Sequence, residues 1–126
     1  MGIKNRKIDK CALINGSLYI PSQHKTVRRN IIINDGILKD IDYTGNINDF
    51  EVIDCKGKII SPGFFDIRTH FGEPGEEDKE TLESGSSAAL FGGFTKVCIL
   101  PNTKPVLDNP ELIESIYNKS KDLGID

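Results

Sequence analysis

The stretch ISPGFFDIRTHFGEPGEEDKETLESGSSAALFGGFTKVCILPNTKPVLDN, from Ile60 to Asn109, decides the fold because it alternates strand and helix patterns. Phe64 to Ile67 predicts a short strand, and the near-continuous apolar run from Phe94 to Leu100 predicts a parallel strand buried on both faces. Between them, Lys79 to Phe91 predicts a helix, which Gly92-Gly93 ends because glycine tolerates a left-handed turn. This order is typical of an α/β protein with a parallel sheet.

A second helix is predicted after the second strand. Asn109 can cap it, Pro110 suits its first position, and Glu111 complements the positive end of the helix dipole. Its apolar face is predicted to consist of Leu112, Ile113, Ile116, Tyr117 and Leu123. Ile125-Asp126 resembles the start of a further strand. Since two parallel strands cannot bury their apolar surface alone, we expect a piece of a larger α/β protein, and a complete domain is the weaker alternative.

The residues before this stretch have a different pattern, with short β-type runs separated by turn dipeptides. Asn15-Gly16, Asp35-Gly36 and Lys56-Gly57 each predict a hairpin turn, because glycine, asparagine and aspartate tolerate positive φ angles. A small β-meander or half of a β-sandwich is therefore predicted. The basic run from Lys25 to Arg29 is interpreted as a solvated turn. The predicted division is residues 1–61 and 62–126.

Composition excludes several functional classes. The chain has 126 residues, 37% of them apolar, and a net charge of -3, with no basic face typical of binding to nucleic acid or an anionic membrane. No apolar run approaches the ~20 residues that span a bilayer, and no signal-peptide core follows the N-terminus, so a cytoplasmic location is expected. The three cysteines are too far apart for a CxxC zinc site and are predicted to be buried free thiols.

Two clusters of polar residues follow the two predicted parallel strands. The first is Asp66 to Gly75 and the second is Pro101-Asn102-Thr103. In a parallel α/β barrel, the reactive groups lie at the C-terminal ends of the strands. We therefore expect the functional residues of this chain in these two loops.

The same residues resemble the start of the catalytic barrel in dihydroorotases and related amidohydrolases. That family shows Asp-x-His-x-His-x-Arg-Glu-Pro-Gly after the first strand, then Gly-Gly-x-Thr, then Pro-Asn-Thr-x-Pro after the second. Here Asp66, His70, Glu73-Pro74-Gly75 and Pro101-Asn102-Thr103 keep the order and spacing. The preceding region, with Asn34 to Ile37 and Ile53 to Ile60, resembles the small β-sandwich that flanks the barrel in these enzymes.

The resemblance implies a (β/α)8 TIM-type barrel, with residues 1–61 as an N-terminal β-sandwich segment and 62–126 as the first two β/α units of a truncated barrel. It implies a zinc-dependent hydrolase that interconverts dihydroorotate and N-carbamoyl-L-aspartate in pyrimidine synthesis, and a homo-oligomer. In this family two histidines bind zinc, while an arginine and an asparagine hold the substrate carboxylate. The lysine, further histidines and aspartate of the family lie on later strands, beyond residue 126.

Mapped onto this chain, the motif is incomplete. His70 corresponds to the second metal histidine and Asn102 to the substrate asparagine, but Arg68 replaces the first metal histidine and Gly72 replaces the carboxylate-binding arginine. Arginine offers no lone pair to a metal and repels a dication. His70 is thus either a zinc ligand or a leftover polar residue. Asn102 either binds substrate or caps its loop. Arg68 either holds the carboxylate from a new position or pairs with Asp66 or Glu73.

Two functions from different classes remain. The first is a dihydroorotase, or a neighbouring cyclic amidase of the allantoinase or hydantoinase type. The second is a catalytically inactive homologue that acts as a structural partner of aspartate transcarbamoylase, for which the substitutions at Arg68 and Gly72 are the expected signature. Metal content and dihydroorotate hydrolysis discriminate between them.

Overall fold

The computed structural model describes residues 10–126, which form two compact units divided between Pro62 and Gly63. The first unit contains seven strands and a short 3-10 turn at Pro21–Gln23. The strands are β1 (Lys10–Ile14), β2 (Ser17–Ile20), β3 (Lys25–Arg28), β4 (Ile31–Asn34), β5 (Ile37–Asp40), β6 (Glu51–Asp54) and β7 (Ile59–Ile60).

These strands form two sheets, in the orders β5-β4-β1-β6 and β3-β2-β7. In each sheet a late strand lies parallel to an early one: β6 pairs with β1, and β7 pairs with β2. The other pairs are antiparallel. Apolar residues of both sheets are buried, namely Cys11, Ala12, Leu18, Ile31 and Ile32, together with Cys55 in the β6–β7 turn.

One of the three predicted hairpins is confirmed and two are wrong. Asp35-Gly36 joins β4 to β5, with φ angles of 52° and 71°, and Asn34 pairs with Ile37. At Asn15-Gly16 and at Lys56-Gly57 the chain instead passes from one sheet to the other. Gly16 explains the first case, since a Cβ added there would lie 2.4 Å from Cδ1 of Ile60. Gly16 therefore allows β7 to approach closely and does not form part of a hairpin turn.

The interpretation of the basic run as a solvated turn is also wrong. Lys25–Arg28 is strand β3, in which Leu18 pairs with Val27 and Ser17 with Arg28. β3 lies at the edge of its sheet, and most of its side chains are exposed. Charged side chains on an edge strand oppose unwanted pairing with other chains, so the basic residues are compatible with a strand here.

The second unit is a strand–helix–strand–helix arrangement. Its elements are β8 (Phe64–Thr69), α1 (Leu82–Phe91), β9 (Phe94–Ile99) and α2 (Pro110–Ser120). β8 and β9 pair in parallel, with Asp66 opposite Val97 and Thr69 opposite Ile99, as predicted. Phe71, Leu82 and Ile116 form the buried core of this unit, so both helices contribute to it.

Both helix starts have specific caps. α1 begins at Leu82 rather than at the predicted Lys79, because Thr81 takes an extended conformation and forms a capping box with Ser84. The predicted cap of α2 is confirmed: Oδ1 of Asn109 accepts a hydrogen bond from the Leu112 N–H at 3.0 Å. On the predicted apolar face, Ile116 is buried, whereas Ile113 and Tyr117 are exposed.

The expected burial of β9 on both faces is wrong for the described residues, since Thr95, Lys96 and Cys98 are exposed, and the apolar residues of its neighbour β8 are exposed as well. Phe64, Phe65 and Ile67 of β8 are 56%, 54% and 74% exposed. A pair of strands has too few neighbours to cover them. At the other edge of β9, the Asp126 N–H donates to the Thr95 carbonyl at 3.1 Å, and the Val97 N–H donates to the Asp126 carbonyl at 2.7 Å. This pattern is that of a parallel bridge, which agrees with the predicted start of a strand at this point.

All three cysteines are free, and Cys11 and Cys55 are buried as predicted. Cys98 is exposed, contrary to the prediction, because it lies on the uncovered sheet of β8 and β9. Among residues 10–126, no helix is both long and apolar enough to cross a membrane.

Candidate functional site

The C-terminal ends of β8 and β9 meet at one edge of the sheet. The Leu100 N–H donates to the Thr69 carbonyl at 2.8 Å and fixes the two strand ends side by side. His70 and Asn102, which follow these ends, lie in contact, with 3.0 Å between Nδ1 of His70 and Oδ1 of Asn102. Because Oδ1 can only accept, Nδ1 carries the proton in this arrangement. The structure thus brings together two of the three predicted site residues.

The other ring nitrogen of His70 faces a carboxylate. Nε2 lies 3.5 Å from Oε2 of Glu76, and the other carboxylate oxygen, Oε1, lies 3.1 Å from Nζ of both Lys79 and Lys104. The hydrogen bonds from Lys79, then Lys104, then His70 lower the pKa of Glu76 from 4.5 to about 2. Glu76 is therefore an anion at any physiological pH.

Glu76 and Lys104 come together because their loops are joined through the backbone. The Lys104 N–H donates to the Pro74 carbonyl at 2.9 Å, and a Cβ added to Gly75 would lie 1.9 Å from the Lys104 carbonyl oxygen. Only glycine permits this approach. Sequence reasoning assigned none of Glu76, Lys79 and Lys104 to the site. The sequence did contain a usable indication of this pairing, because an acidic residue, Glu76, follows β8 and a lysine, Lys104, follows β9.

Glu73 connects the two helices. Oε2 accepts from the Leu82 N–H at 2.9 Å, at the start of α1, and Oε1 accepts from Nζ of Lys119, in α2, at 2.9 Å. These bonds, the one from Leu82 first, lower the pKa of Glu73. Its side chain is only 12% exposed. Glu73 is therefore part of the scaffold that holds this loop to the two helices.

Arg68, the third predicted site residue, is exposed at the end of β8. Its backbone N–H donates to Oδ1 of Asp66 at 2.9 Å. Within the described part of the chain its guanidinium forms no ion pair, so the suggested pairing with Asp66 or Glu73 is wrong there; Glu73 is already held by Lys119. The guanidinium of Arg68 is thus left available at the strand end.

Gly72, at the position of the family's arginine, has a backbone conformation that suits glycine. Its φ angle is 77°, and a Cβ added there would lie 3.1 Å from the Glu76 carbonyl oxygen. The Glu76 N–H donates to the Gly72 carbonyl at 2.8 Å, which closes a turn. The backbone of this loop therefore favours glycine over arginine at position 72.

Residues 10–126 do not by themselves form a zinc site. Among residues 10–126, no group of three or more His, Cys, Asp and Glu side chains converges as a metal site would require. His70 is the single histidine at the strand ends, and both of its ring nitrogens face protein groups. Arg68 adds a positive charge at the position of the motif's first histidine.

Known proteins share both the sequence and the fold. The chain is 40% identical over 116 residues to a dihydroorotase of Aquifex aeolicus (strain VF5), covering 92% of this chain and 28% of that protein. It is 39% identical over 110 residues to a dihydroorotase of Bacillus thuringiensis (strain Al Hakam), covering 87% and 26%. The chain thus spans about a quarter of the length of these relatives.

Solved structures of hydantoinases also match, and the chain again covers about a quarter of their length. A D-hydantoinase crystal structure aligns with a TM-score of 0.71 and 32% identity, over 87% of this chain and 24% of that one. An L-hydantoinase (dihydropyrimidinase) from Arthrobacter aurescens aligns with a TM-score of 0.76 over 90% and 25%; at 22% identity it shows the fold alone. The mixed α/β arrangement is therefore that of the matching part of these enzymes.

The model of the Dihydro-orotase-like family matches residues 57–124, which is more than half of the chain and includes both strand-end loops. The order of motifs, the contact between His70 and Asn102 and the shared fold agree with this match. The chain belongs to the dihydroorotase-like family.

Proposed function

We propose that the whole protein is a dihydroorotase-like cyclic amidohydrolase, which reversibly hydrolyses dihydroorotate to N-carbamoyl-L-aspartate in pyrimidine synthesis. The observation that carries the proposal is the 3.0 Å contact between His70 and Asn102 at the ends of two parallel strands. It places two groups of the family's motif at one point, where α/β enzymes keep their reactive groups. Family membership and the similarity to dihydroorotases support the choice of substrate.

Asn102 and Arg68 are proposed to hold the substrate. While Oδ1 of Asn102 accepts from His70, its amide nitrogen remains able to donate to a substrate carboxylate or ring carbonyl. The planar guanidinium of Arg68 suits a bidentate bond to a carboxylate. Both side chains are exposed at the same sheet edge. A barrel that continues from β8, β9 and the bridge at Asp126 would enclose this edge.

A second candidate function is that of an inactive homologue that binds aspartate transcarbamoylase as a structural partner. The observation that favours it is the damaged metal position: Arg68 replaces a ligand, and both nitrogens of His70 face protein groups. Such a protein would keep the fold and lose the metal.

The test is hydrolysis of dihydroorotate by the full-length protein, with zinc measured per chain. We expect slow turnover with substoichiometric zinc, and a loss of turnover in Asn102→Ala. Asn48→Ala, at an exposed position of the first unit, is the matched control and should change nothing. If allantoin or hydantoin is hydrolysed and dihydroorotate is not, the protein is a related cyclic amidase and not a dihydroorotase. No turnover, together with a stable complex with aspartate transcarbamoylase, would establish the second candidate.

A further inference from the structure

The carboxylate of Glu76 is surrounded by groups that would bind any carboxylate. Two ammonium groups, of Lys79 and Lys104, lie 3.1 Å from one of its oxygens, and Nε2 of His70, which donates when the ring carries a second proton, lies 3.5 Å from the other. Nδ1 of the same imidazole contacts Asn102. The set is thus directly connected to a residue proposed to bind substrate, at the edge where β8 and β9 end.

The two lysines keep these positions through Glu76 and not through burial. Their side chains are 66% and 76% exposed, whereas that of Glu76 is 19% exposed. The backbone of Glu76 is fixed, because its N–H donates to Gly72 and its carbonyl accepts from the Lys79 N–H. Rotation of the Glu76 side chain alone would therefore empty the space between the cations without unfolding the loop.

We propose that Lys104, Lys79 and His70 form a carboxylate-binding subsite, which Glu76 fills when no ligand is bound and which an anionic ligand takes over by displacing the Glu76 side chain. The inference rests on the proposed function for the identity of the ligand, a small carboxylate such as N-carbamoyl-L-aspartate. The subsite would replace the carboxylate-binding arginine that is absent at Gly72. The replacing cation, Lys104, lies in the loop after β9, close to Asn102, whereas Gly72 lies in the loop after β8.

The charges of the site are compatible with this exchange. Both ammonium groups lie 3.1 Å from the same carboxylate oxygen of Glu76, so they stabilise a negative charge placed between them. A ligand that must displace an internal carboxylate binds with an apparent affinity reduced by the fraction of molecules in which the subsite is open. Removal of the internal charge should therefore tighten ligand binding, whereas removal of a cation should weaken it.

The experiment is calorimetric titration of the full-length protein with N-carbamoyl-L-aspartate and, separately, with succinate, at low ionic strength. Glu76→Gln should tighten binding of both anions by about threefold to tenfold, the range of one or two exposed ion pairs. Lys104→Gln should weaken both by a similar factor, and the gain from Glu76→Gln should shrink when the two are combined. Asp78→Asn and Lys39→Gln, which remove like charges from exposed positions outside the cluster, are the matched controls and should leave affinity unchanged.

Failure of this inference is distinguishable from failure of the proposed function. If dihydroorotate is hydrolysed with a KM that neither Glu76→Gln nor Lys104→Gln changes, the subsite is overturned while the function stands. If succinate affinity responds to both variants and no dihydroorotate is hydrolysed, the subsite stands while the function fails. If Glu76→Gln binds neither anion although it is folded by circular dichroism, the subsite is overturned.

Discussion

At the scale of single residues, the two substitutions in the family's motif are accommodated differently. Arg68 is exposed at the end of β8 and forms no side-chain bond within the described residues, so nothing around it depends on the arginine. Gly72 lies inside a turn whose backbone conformation and close contact with Glu76 suit glycine. A reversal of the first change is therefore compatible with the present loop, whereas a reversal of the second would strain its backbone.

Arg68→His should raise the zinc content of the full-length protein. The substitution removes a cation from the strand end and adds an imidazole two residues before His70. Metal per chain, measured by mass spectrometry after dialysis, checks this, with Arg28→His on exposed strand β3 as the control. An unchanged zinc content would show that the metal site lacks other ligands as well.

Gly72→Arg should destabilise the protein by about 1 kcal/mol, the usual free energy of placing a side chain in the left-handed region. Gly72→Asn should be milder, since asparagine tolerates positive φ. Urea unfolding of both variants measures the difference. Equal stability of Gly72→Arg and the wild type would mean that the loop rearranges freely, and the double substitution with Arg68→His would then be a simple restoration.

The sequence predicted which loops come together at the strand ends but not how their charged residues are paired. His70 and Asn102 were expected at one sheet edge, because they follow two parallel strands, and they lie in contact there. The pairing of Glu76 with Lys79 and Lys104 depends on the backbone contact between Gly75 and Lys104, which joins loops from different strands. Local patterns carry no information about such a contact between distant residues.

At the scale of elements, one side chain forms bonds to both α1 and α2 in addition to the apolar core that they share. Glu73 accepts from the first turn of α1 and from Lys119 near the end of α2. A carboxylate at a helix N-terminus is stabilised by the helix dipole as well as by the hydrogen bond. This position is therefore more sensitive to substitution than an exposed acidic residue elsewhere in the loop.

Glu73→Ala should lower the free energy of unfolding by about 1–2 kcal/mol, since it removes the bond to the Leu82 N–H and leaves Lys119 without its partner. Glu73→Gln should lose less, because an amide oxygen still accepts from Leu82. Chemical denaturation gives both values, and Glu114→Gln on the exposed side of α2 serves as the control. A Glu73→Ala variant as stable as the wild type would contradict the linking role of this residue.

The contribution of Glu73 should depend on pH. Its pKa is lowered in the folded protein from 4.5, so the stabilisation is complete above pH 4.5 and decreases as the pH falls through the folded-state value. The difference in unfolding free energy between the wild type and Glu73→Gln should therefore shrink on acidification below that pH. A difference that stays constant as the pH falls from 6 to about 3 would show that ionisation of Glu73 contributes nothing.

The elements also show where sequence patterns suffice. Asp35-Gly36 and Asn15-Gly16 carry the same local signal, yet only the first closes a hairpin. After Asn15, the Ser17 N–H donates to Lys58, and β2 pairs with the late strand β7. The helix caps at Thr81 and Asn109 involve neighbouring residues and so follow from local chemistry. Pairing with a strand far along the chain does not.

At the scale of the whole molecule, the apolar residues of the second unit exceed what the described residues can cover. Ile67, Phe91 and Tyr117 are 74%, 81% and 63% exposed. Residues 1–126 produced alone should therefore associate through these faces and through the open edge of β8. Size-exclusion chromatography, with the full-length protein as the control, checks this. A monomer with one cooperative thermal transition would contradict it.

The parallel pairing of β6 with β1 and of β7 with β2 has a consequence for biosynthesis. Cys11 pairs with Glu51, and Ser17 pairs with Ile59, so neither sheet is complete until these later residues have been synthesised. During translation the β4–β5 hairpin can close as soon as it leaves the ribosome, but the two sheets are completed only when residues 51–60 emerge. One edge of β1 and one edge of β2 therefore stay unpaired for most of the synthesis of this unit. During that time chaperones, or other nascent chains, can bind to these edges.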